Sequence, residues 1–148
     1  MIQLIYFSAA SYLYSNVELI EMFNRSRKNN ADLNITGLMI YHEGSIIQIL
    51  EGQAHDVHDL YNKISRDRRH KSILKVIDAN IEERSFKDWS MGIKPIIIQD
   101  WKNVAGYINL DHKEAFKEIK NLKNKHIVKM ISSFGKVNRL NNLNFCLQ

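Results

Sequence analysis

Apolar positions in this chain switch between two periods, and the switches mark the elements. Ile2 to Ser8 (IQLIYFS) alternates like a strand, with Leu4, Tyr6 and Ser8 on one face and Ile5 and Phe7 on the other. Asn16 or Ser15 can cap a helix over about 17–30, with Glu18 and Glu21 in the first turns, where the helix dipole favours acids. Its inward stripe is expected to be Ile20, Phe23, Arg27 and Asn30, apolar at the start and polar at the end. The run Ser26-Arg27-Lys28-Asn29-Asn30 reads as the stop. Ile35 to Gly52 (ITGLMIYHEGSIIQILEG) gives two strands joined at His42-Glu43-Gly44. Gly37 inside the first of them predicts close approach of another backbone or of a ligand. Val57, Leu60, Tyr61 and Ile64 mark a second helix over about 54–66, which ends in Asp67-Arg68-Arg69-His70. Ser72 to Ile81 is a fourth strand and Glu82 to Asp88 a charged connection. Trp89-Ser90-Met91-Gly92-Ile93 leads into a fifth strand, which Pro95 confines to an edge or an early end.

The order βαββαββ predicts an α+β fold. Its first six elements match a ferredoxin-like antiparallel sheet with both helices on one face. Ile5, Phe7, Ile47 and Ile49 would then lie bare on the other face and need a cover. Phe116, Ile119, Leu122, Ile127, Met130, Ile131 and Phe134 fall on helical stripes between about 111 and 134. One helix broken near Asn124, or two short ones, is the expected cover. The Asn-rich tail from Gly135 is expected to fray.

Composition narrows the function classes. The chain has 148 residues, 45% hydrophobic and 25% charged, which fits a globular domain with a real core. A net charge of +5 permits an acidic partner, but no nucleic-acid reading motif accompanies it, so direct nucleic-acid binding is not expected. Cys146 is the only cysteine, so neither a disulfide framework nor a zinc spacing exists, as suits a reducing cytoplasm. The N-terminus lacks a basic run before its apolar residues, and no apolar stretch approaches the ~20 residues of a membrane helix.

The candidate chemistry begins at Gln48, an amide set between Ile47 and Ile49. A buried amide must find partners, and a planar, hydrogen-bonding ligand would supply them. Parity puts Tyr6 on the same helix-covered face, and the two strands are central neighbours in such a sheet. Asn29 and Asn30 end the first helix above that face; Lys63, Asp67, Arg69 and His70 end the second. Together they outline a slot for a flat polar ring. Singly, each has a plainer reading: Tyr6 a core residue, Asn29-Asn30 a helix stop, Asp67-Arg68-Arg69-His70 a solvated turn, Trp89 and Met91 core. Phosphate-loop, metal and Ser/His/Asp spacings are absent.

The joint pattern is far more specific. Tyr6-Phe7-Ser8 with Ala10-Ser11, then Ser26-Arg27-Lys28-Asn29-Asn30, Ile35-Thr36-Gly37-Leu38, Gln48-Ile49-Leu50-Glu51-Gly52, Asp67-Arg68-Arg69-His70 and Trp89-Ser90-Met91-Gly92 follow one another in this order. The chain thereby resembles the BLUF family, blue-light sensors that use FAD. The resemblance implies a flavin-binding domain over residues 1–97. It implies that Tyr6 donates an electron, coupled to a proton, to the excited flavin, and that Gln48 bridges Tyr6 and the flavin ring. Asn30, with Asn29 beside it, would hold the far side of the ring, and Asp67, Arg69 and His70 its edge and ribityl side. Ser26, Lys63 and Ile64 complete the expected cofactor contacts. Trp89 and Met91 would pass the signal on. Residues 98–148 would form a helical extension packed on the sheet, with no separate effector domain. Output would then run through an unidentified downstream regulatory protein, with homo-oligomer formation, and the module would not be an enzyme.

Three other readings compete with this one. A non-photoactive flavin- or ligand-binding regulatory module is the alternative on the same fold. An acylphosphatase-like enzyme needs a phosphate cradle that Ser8-Ala9-Ala10-Ser11 does not offer. An RNA-binding module needs stacking aromatics where Ile47 and Ile49 stand. Lys113, Lys117, Lys120, Lys123, Lys125 and Lys129 make the terminal segment basic; a solvated face is the first reading and an acidic partner surface the second.

Overall fold

The computed structural model of the chain describes residues 1–87 and 122–138. The elements are β1 (Ile2–Ala10), α1 (Asn16–Asp32), β2 (Thr36–His42), β3 (Ser45–Gly52), α2 (Ala54–Ser65), β4 (His70–Asn80) and α3 (Lys125–Val137). The strands form one antiparallel sheet in the order β2-β3-β1-β4. This is the ferredoxin-like α+β topology expected, with β1 and β3 central. The fifth strand, Trp89, Met91, the stripe through Phe116 and Ile119, and the tail after Asn138 lie outside the described residues.

Local chemistry explains the boundaries. Ser15 caps α1 by accepting from the Glu18 backbone N–H while Glu18 reaches back to Ser15, a reciprocal capping box. The helix runs past the expected stop at Asn30 to Asp32, and the reversal comes instead at Asn34, whose φ is +51°. The buried stripe also differs from expectation by one position: Leu19, not Ile20, leads it, followed by Phe23 and Asn30. Glu43 and Gly44 both take positive φ, as a two-residue hairpin turn demands. A Cβ on Gly37, at φ +156°, would overlap the Ile49 carbonyl oxygen, so the backbone approach that glycine predicted is real. β4 starts two residues before the expected Ser72, because His70 and Lys71 pair with Ala10 and Ala9. A bulge follows at Ser72, which has φ +49°.

Two cores sandwich the sheet. On one face Ile2, Leu4, Tyr6, Ile46 and Leu50 pack with Leu19 and Phe23 of α1 and Val57 of α2. On the other, Ile5, Leu38, Ile40, Ile47 and Ile49 pack with Phe86 and with Ile127, Ile131 and Phe134 of α3. Leu122, Met130 and Phe7 join this second core, so the cover anticipated for the bare face is present. Asn124 caps α3 at the expected break, accepting from the backbone N–H groups of His126 and Ile127. The helix continues through Gly135 to Val137, beyond the point where fraying was expected. Among the described residues, no helix is long and apolar enough to cross a membrane.

Candidate functional site

The register delivers the first pair. Tyr6 on β1 stands opposite Gln48 on β3, which in turn stands opposite Met39 on β2. Tyr6 and Gln48 are both buried, and the Tyr6 hydroxyl donates to Gln48 Oε1. The Tyr61 ring of α2 meets Tyr6 edge-on, with centroids 5.5 Å apart. Burial pushes the Tyr6 phenol far above its ordinary pKa, and the proximity of Tyr61 and Asp67 adds to the rise. Tyr6 is therefore a neutral hydrogen-bond donor at any physiological pH.

Above this row the two helices part around a cavity of about 210 Å³. Its floor is Gln48 and Met39. One wall comes from α1, through Met22, Arg25, Ser26, Asn29 and Asn30. The other comes from α2 and the turn after it, through Leu60, Lys63, Ile64, Asp67, Arg69 and His70. Nine of the ten residues expected at a cofactor line this space, and the tenth, Tyr6, lies under it through Gln48. Trp89 and Met91 fall outside the described residues.

The polar groups of the slot differ in how well they are partnered. Asn30 is only 2% exposed, and its amide nitrogen has no hydrogen-bond partner among the described residues. Such a donor costs about 1–3 kcal/mol when left unpaired, so it is retained against stability. The overrun of α1 past Asn30 places this side chain. With the reversal assigned to Asn34, Asn29 and Asn30 stay on the last helical turn and edge the cavity. Asp67 accepts from Arg69 Nε at 3.0 Å, and the side-chain hydrogen bonds from Arg69 lower its pKa to about 2. Asp67-Arg68-Arg69-His70 is thus an ordered turn, half-buried at Asp67, Arg69 and His70 and exposed at Arg68. His70 Nδ1 lies 3.0 Å from Ser8 Oγ. Burial lowers its pKa, with Arg69 reinforcing and Asp67 opposing, so the imidazole is neutral near pH 7.

Four wall residues were not anticipated: Met22, Arg25, Met39 and Leu60. A signal existed for each. Met22 and Arg25 precede Ser26 and Asn29 by one helical turn, and Leu60 precedes Ile64 by one. Met39 is the hairpin partner of Gln48. The four supply apolar bulk and one cation. The slot therefore combines the apolar side chains of Met22, Met39, Leu60 and Ile64 with the amides of Asn29, Asn30 and Gln48 and with charged groups. An isoalloxazine ring, flat and apolar on its faces and rich in donors and acceptors along its edges, fits that distribution. The unpartnered Asn30 amide is the specific sign of fit, since it lacks an acceptor that such an edge carries.

Comparison with known proteins agrees. A family model described as "BLUF: Sensors of blue-light using FAD" matches residues 1–92. Over 86 residues the chain is 37% identical to the photoactivated adenylate cyclase subunit alpha of Euglena gracilis, covering 58% of this chain and 8% of that protein. A bacterial light-regulated adenylyl cyclase shares the fold at TM-score 0.61 and 38% identity, over 64% of this chain and 28% of that one. The dark-state structure of BlrB, a BLUF protein, aligns at TM-score 0.59 and 34% identity, over 62% of this chain and 70% of that one. The chain thus spans about a tenth of the Euglena cyclases it matches.

Proposed function

The chain belongs to the BLUF family of blue-light sensors using FAD, and we propose that the slot between α1 and α2 holds the flavin ring, with Tyr6 as its electron donor and Gln48 as the switch. The protein is a light-sensing flavoprotein, and its BLUF portion is a sensory module rather than a catalyst. One observation carries the assignment of roles. A buried Tyr6–Gln48 hydrogen bond lies beneath a slot whose α1 wall presents the unpartnered Asn30 amide. Bound there, FAD supplies the absorption of blue light and an electron-accepting excited state.

The chain's own groups do the rest. Burial keeps Tyr6 protonated, so loss of an electron from the phenol must be accompanied by loss of its proton. Gln48 Oε1 already accepts from that hydroxyl, so a proton acceptor is in place. A carboxamide carries an acceptor on one arm and donors on the other. Gln48 can therefore satisfy Tyr6 and the ring edge in two arrangements of similar energy, which makes it a bistable element. Asn29, Asn30 and Ser26 orient the ring from α1; Ile64, Lys63, Asp67, Arg69 and His70 orient it from the α2 side.

For output, we propose residues 1–97 as the sensor, Trp89 and Met91 as its relay, and residues 98–148 as the extension through which a downstream regulatory protein is contacted in the cytoplasm. Homo-oligomer formation belongs to the same proposal. The reading is supported by α3, which covers the face opposite the slot, behind the strands that carry Tyr6 and Gln48. The first test is optical. The 148-residue chain reconstituted with FAD should be yellow, and its flavin band should move to the red under blue light. Tyr6→Phe should keep the flavin and lose the shift. A colourless preparation that takes up no flavin would refute the site, and a normal shift in Tyr6→Phe would refute the donor.

A further inference from the structure

Tyr6 is fully buried, yet the seam beside it is irregular. β4 is the outer strand on that side among the described residues, and its pairing with β1 slips twice, between Ile5 and Tyr6 and between Phe7 and Ala9. At the first slip Val76 is passed over, so the residue standing opposite Tyr6 is Lys75. Directly paired residues share a sheet face, so both side chains rise on the side of α2. Lys75 is exposed, and its Nζ lies 5.6 Å from the centroid of the Tyr61 ring. The same ammonium donates to Asp78 Oδ2 at 2.7 Å. Asp78 also stands 3.0 Å from His58 Nε2, one helical turn before Tyr61 on α2. A cation–π contact and two polar contacts thus clamp α2 to β4 around one ring. Exposed ion pairs of this kind add little stability; what they do here is fix Tyr61. That ring is half-buried and meets Tyr6 at 63°, and it does not line the slot. Tyr61 therefore touches the donor and not the cofactor space.

We propose that Tyr61 is a positioning residue for the light-driven oxidation of Tyr6: braced by Lys75, it seals the β1/β4 seam against water, so that Gln48 Oε1 and not a water molecule accepts from the Tyr6 hydroxyl. The proposal rests on the donor role of Tyr6 and deepens it. Oxidation removes one electron and one proton from the phenol. The electron passes to the photoexcited flavin. With the seam sealed, the proton passes along the existing hydrogen bond to Gln48 Oε1, and the amide is committed to its other arrangement. A water at the hydroxyl would give the proton a second acceptor. The electron would then leave Tyr6 without moving Gln48, and light would be absorbed without a switch. The same dryness holds the phenol protonated, which is what ties electron loss to proton loss. Tyr61 thus acts on the coupling between the two, through Tyr6, and not on flavin binding.

The test reads the Tyr6 hydroxyl proton by NMR on the flavin-free 148-residue chain, assigned by its loss in Tyr6→Phe, and then the photoreaction of the FAD-loaded chain. Wild type should show a hydroxyl resonance protected from exchange. Tyr61→Ala should lose that resonance to exchange with water. It should still take up FAD and still quench flavin fluorescence, yet lose most of the red shift. Tyr61→Phe, which keeps the ring, should match wild type in every reading. Loss of the red shift with quenching retained is a signature that simple loosening of the core would not give. Lys75 allows the same test at an exposed site, where folding is not endangered. Lys75→Ala should weaken the protection, and Lys75→Arg, which keeps a cation over the ring, should restore it. Equal protection in wild type and Tyr61→Ala would overturn the proposal, as would quenching and red shift falling together. Should Tyr61→Ala not fold, equal protection in wild type and Lys75→Ala would overturn it instead. A normal red shift in FAD-loaded Tyr61→Ala would overturn the seal alone, whereas a wild-type chain that takes up no flavin would overturn the slot reading and this proposal with it.

Discussion

The two faces of one sheet are built from the same strands and solve opposite problems. On the α3 face, Ile5–Ile49–Leu38 and Phe7–Ile47–Ile40 run across β1, β3 and β2 as apolar rows closed by Ile127, Ile131 and Phe134. On the α1/α2 face the row between them is Tyr6–Gln48–Met39, and above it packing gives way to a cavity. A shift of one residue along the strand separates a dry wall from a hydrogen-bonding floor. The difference teaches how a switch can be made from an amide. The dry rows brace β1 and β3 around the Tyr6–Gln48 pair, as the proposed Gln48 switch requires. A wet core on both faces would let the strand itself move, and the side chain's state would then be poorly defined.

The largest effect should come from breaking the dry face. Ile131 is fully buried under the sheet, and Ile131→Ala removes most of its side chain. The expected cost is about 2–5 kcal/mol of folding stability, measured by urea unfolding of the flavin-free protein. Flavin affinity of the folded fraction should be nearly unchanged. Comparable loss of both would mean that the two faces are not separable.

The next effect concerns the place where the dry face turns polar. Glu51 is fully buried on the α3 face. Its carboxylate accepts from Gln3 Nε2 at 2.6 Å and from the backbone N–H groups of Ser85 and Phe86 at 3.1 and 3.0 Å. Gln3 Oε1 in turn accepts from Asn124, the cap of α3, at 3.4 Å. Glu51 therefore holds the segment that plants Phe86 in the second core and, through Gln3, the start of the covering helix. Glu51→Gln replaces one acceptor oxygen with a donor and sets it against a donor. About 1–3 kcal/mol should be lost, with faster hydrogen exchange at the Ser85 and Phe86 amides. Unaltered exchange there would show that the carboxylate does not hold the segment.

These cases mark what the sequence could carry. Strand period together with the ferredoxin-like order paired Tyr6 with Gln48 and left Ile5, Phe7, Ile47 and Ile49 in need of a cover, because alternation follows from backbone geometry and the strand order from the succession of elements. The helix ends were legible only in part. Asn29-Asn30 and Asn34 have the same stop chemistry, and only the return path into β2 decides that Asn34 turns the chain. That single displacement leaves Asn30 on the cavity wall rather than at a cap. Glu51 gave no local signal, since its partners come from 48 residues upstream and 34–35 downstream. The one-position error between Ile20 and Leu19 came from two neighbouring apolar residues, which periodicity cannot rank without the facing surface.

Asn30 sharpens the comparison from the wet side. Its buried amide lacks a partner, so Asn30→Leu should leave the stability of the flavin-free protein unchanged or slightly raised. Flavin affinity should fall about tenfold, equivalent to roughly 1.4 kcal/mol, read by equilibrium titration with FAD. Opposite signs in stability and binding are the mark of a group kept for a ligand. A stability loss like that of Ile131→Ala would make Asn30 a structural residue after all.

The smallest effect is a pH dependence set on the slot face by His70 and Asp67. His70 is held neutral in the fold mainly by burial, and its pKa lies below the ordinary value of about 6.5 expected in the unfolded chain. Below pH ~6.5 the unfolded chain therefore takes up a proton that the folded protein resists. The stability tied to neutral His70 is complete above that pH and is lost as pH falls through the lower folded value. Asp67 contributes in a separate window: its carboxylate is paired with Arg69, and that stability persists until pH falls below the ordinary 3.8 toward about 2. Thermal unfolding of the flavin-free protein should thus show a shallow decline just below pH 6.5 and a distinct one below pH 4. His70→Gln should flatten the first and leave the second. Apolar rows such as Ile5–Ile49–Leu38 have nothing to titrate, so Ile131→Ala should lower the whole curve without changing its shape. A first decline that survives in His70→Gln would assign it to another group and remove His70 from the acid response of the slot.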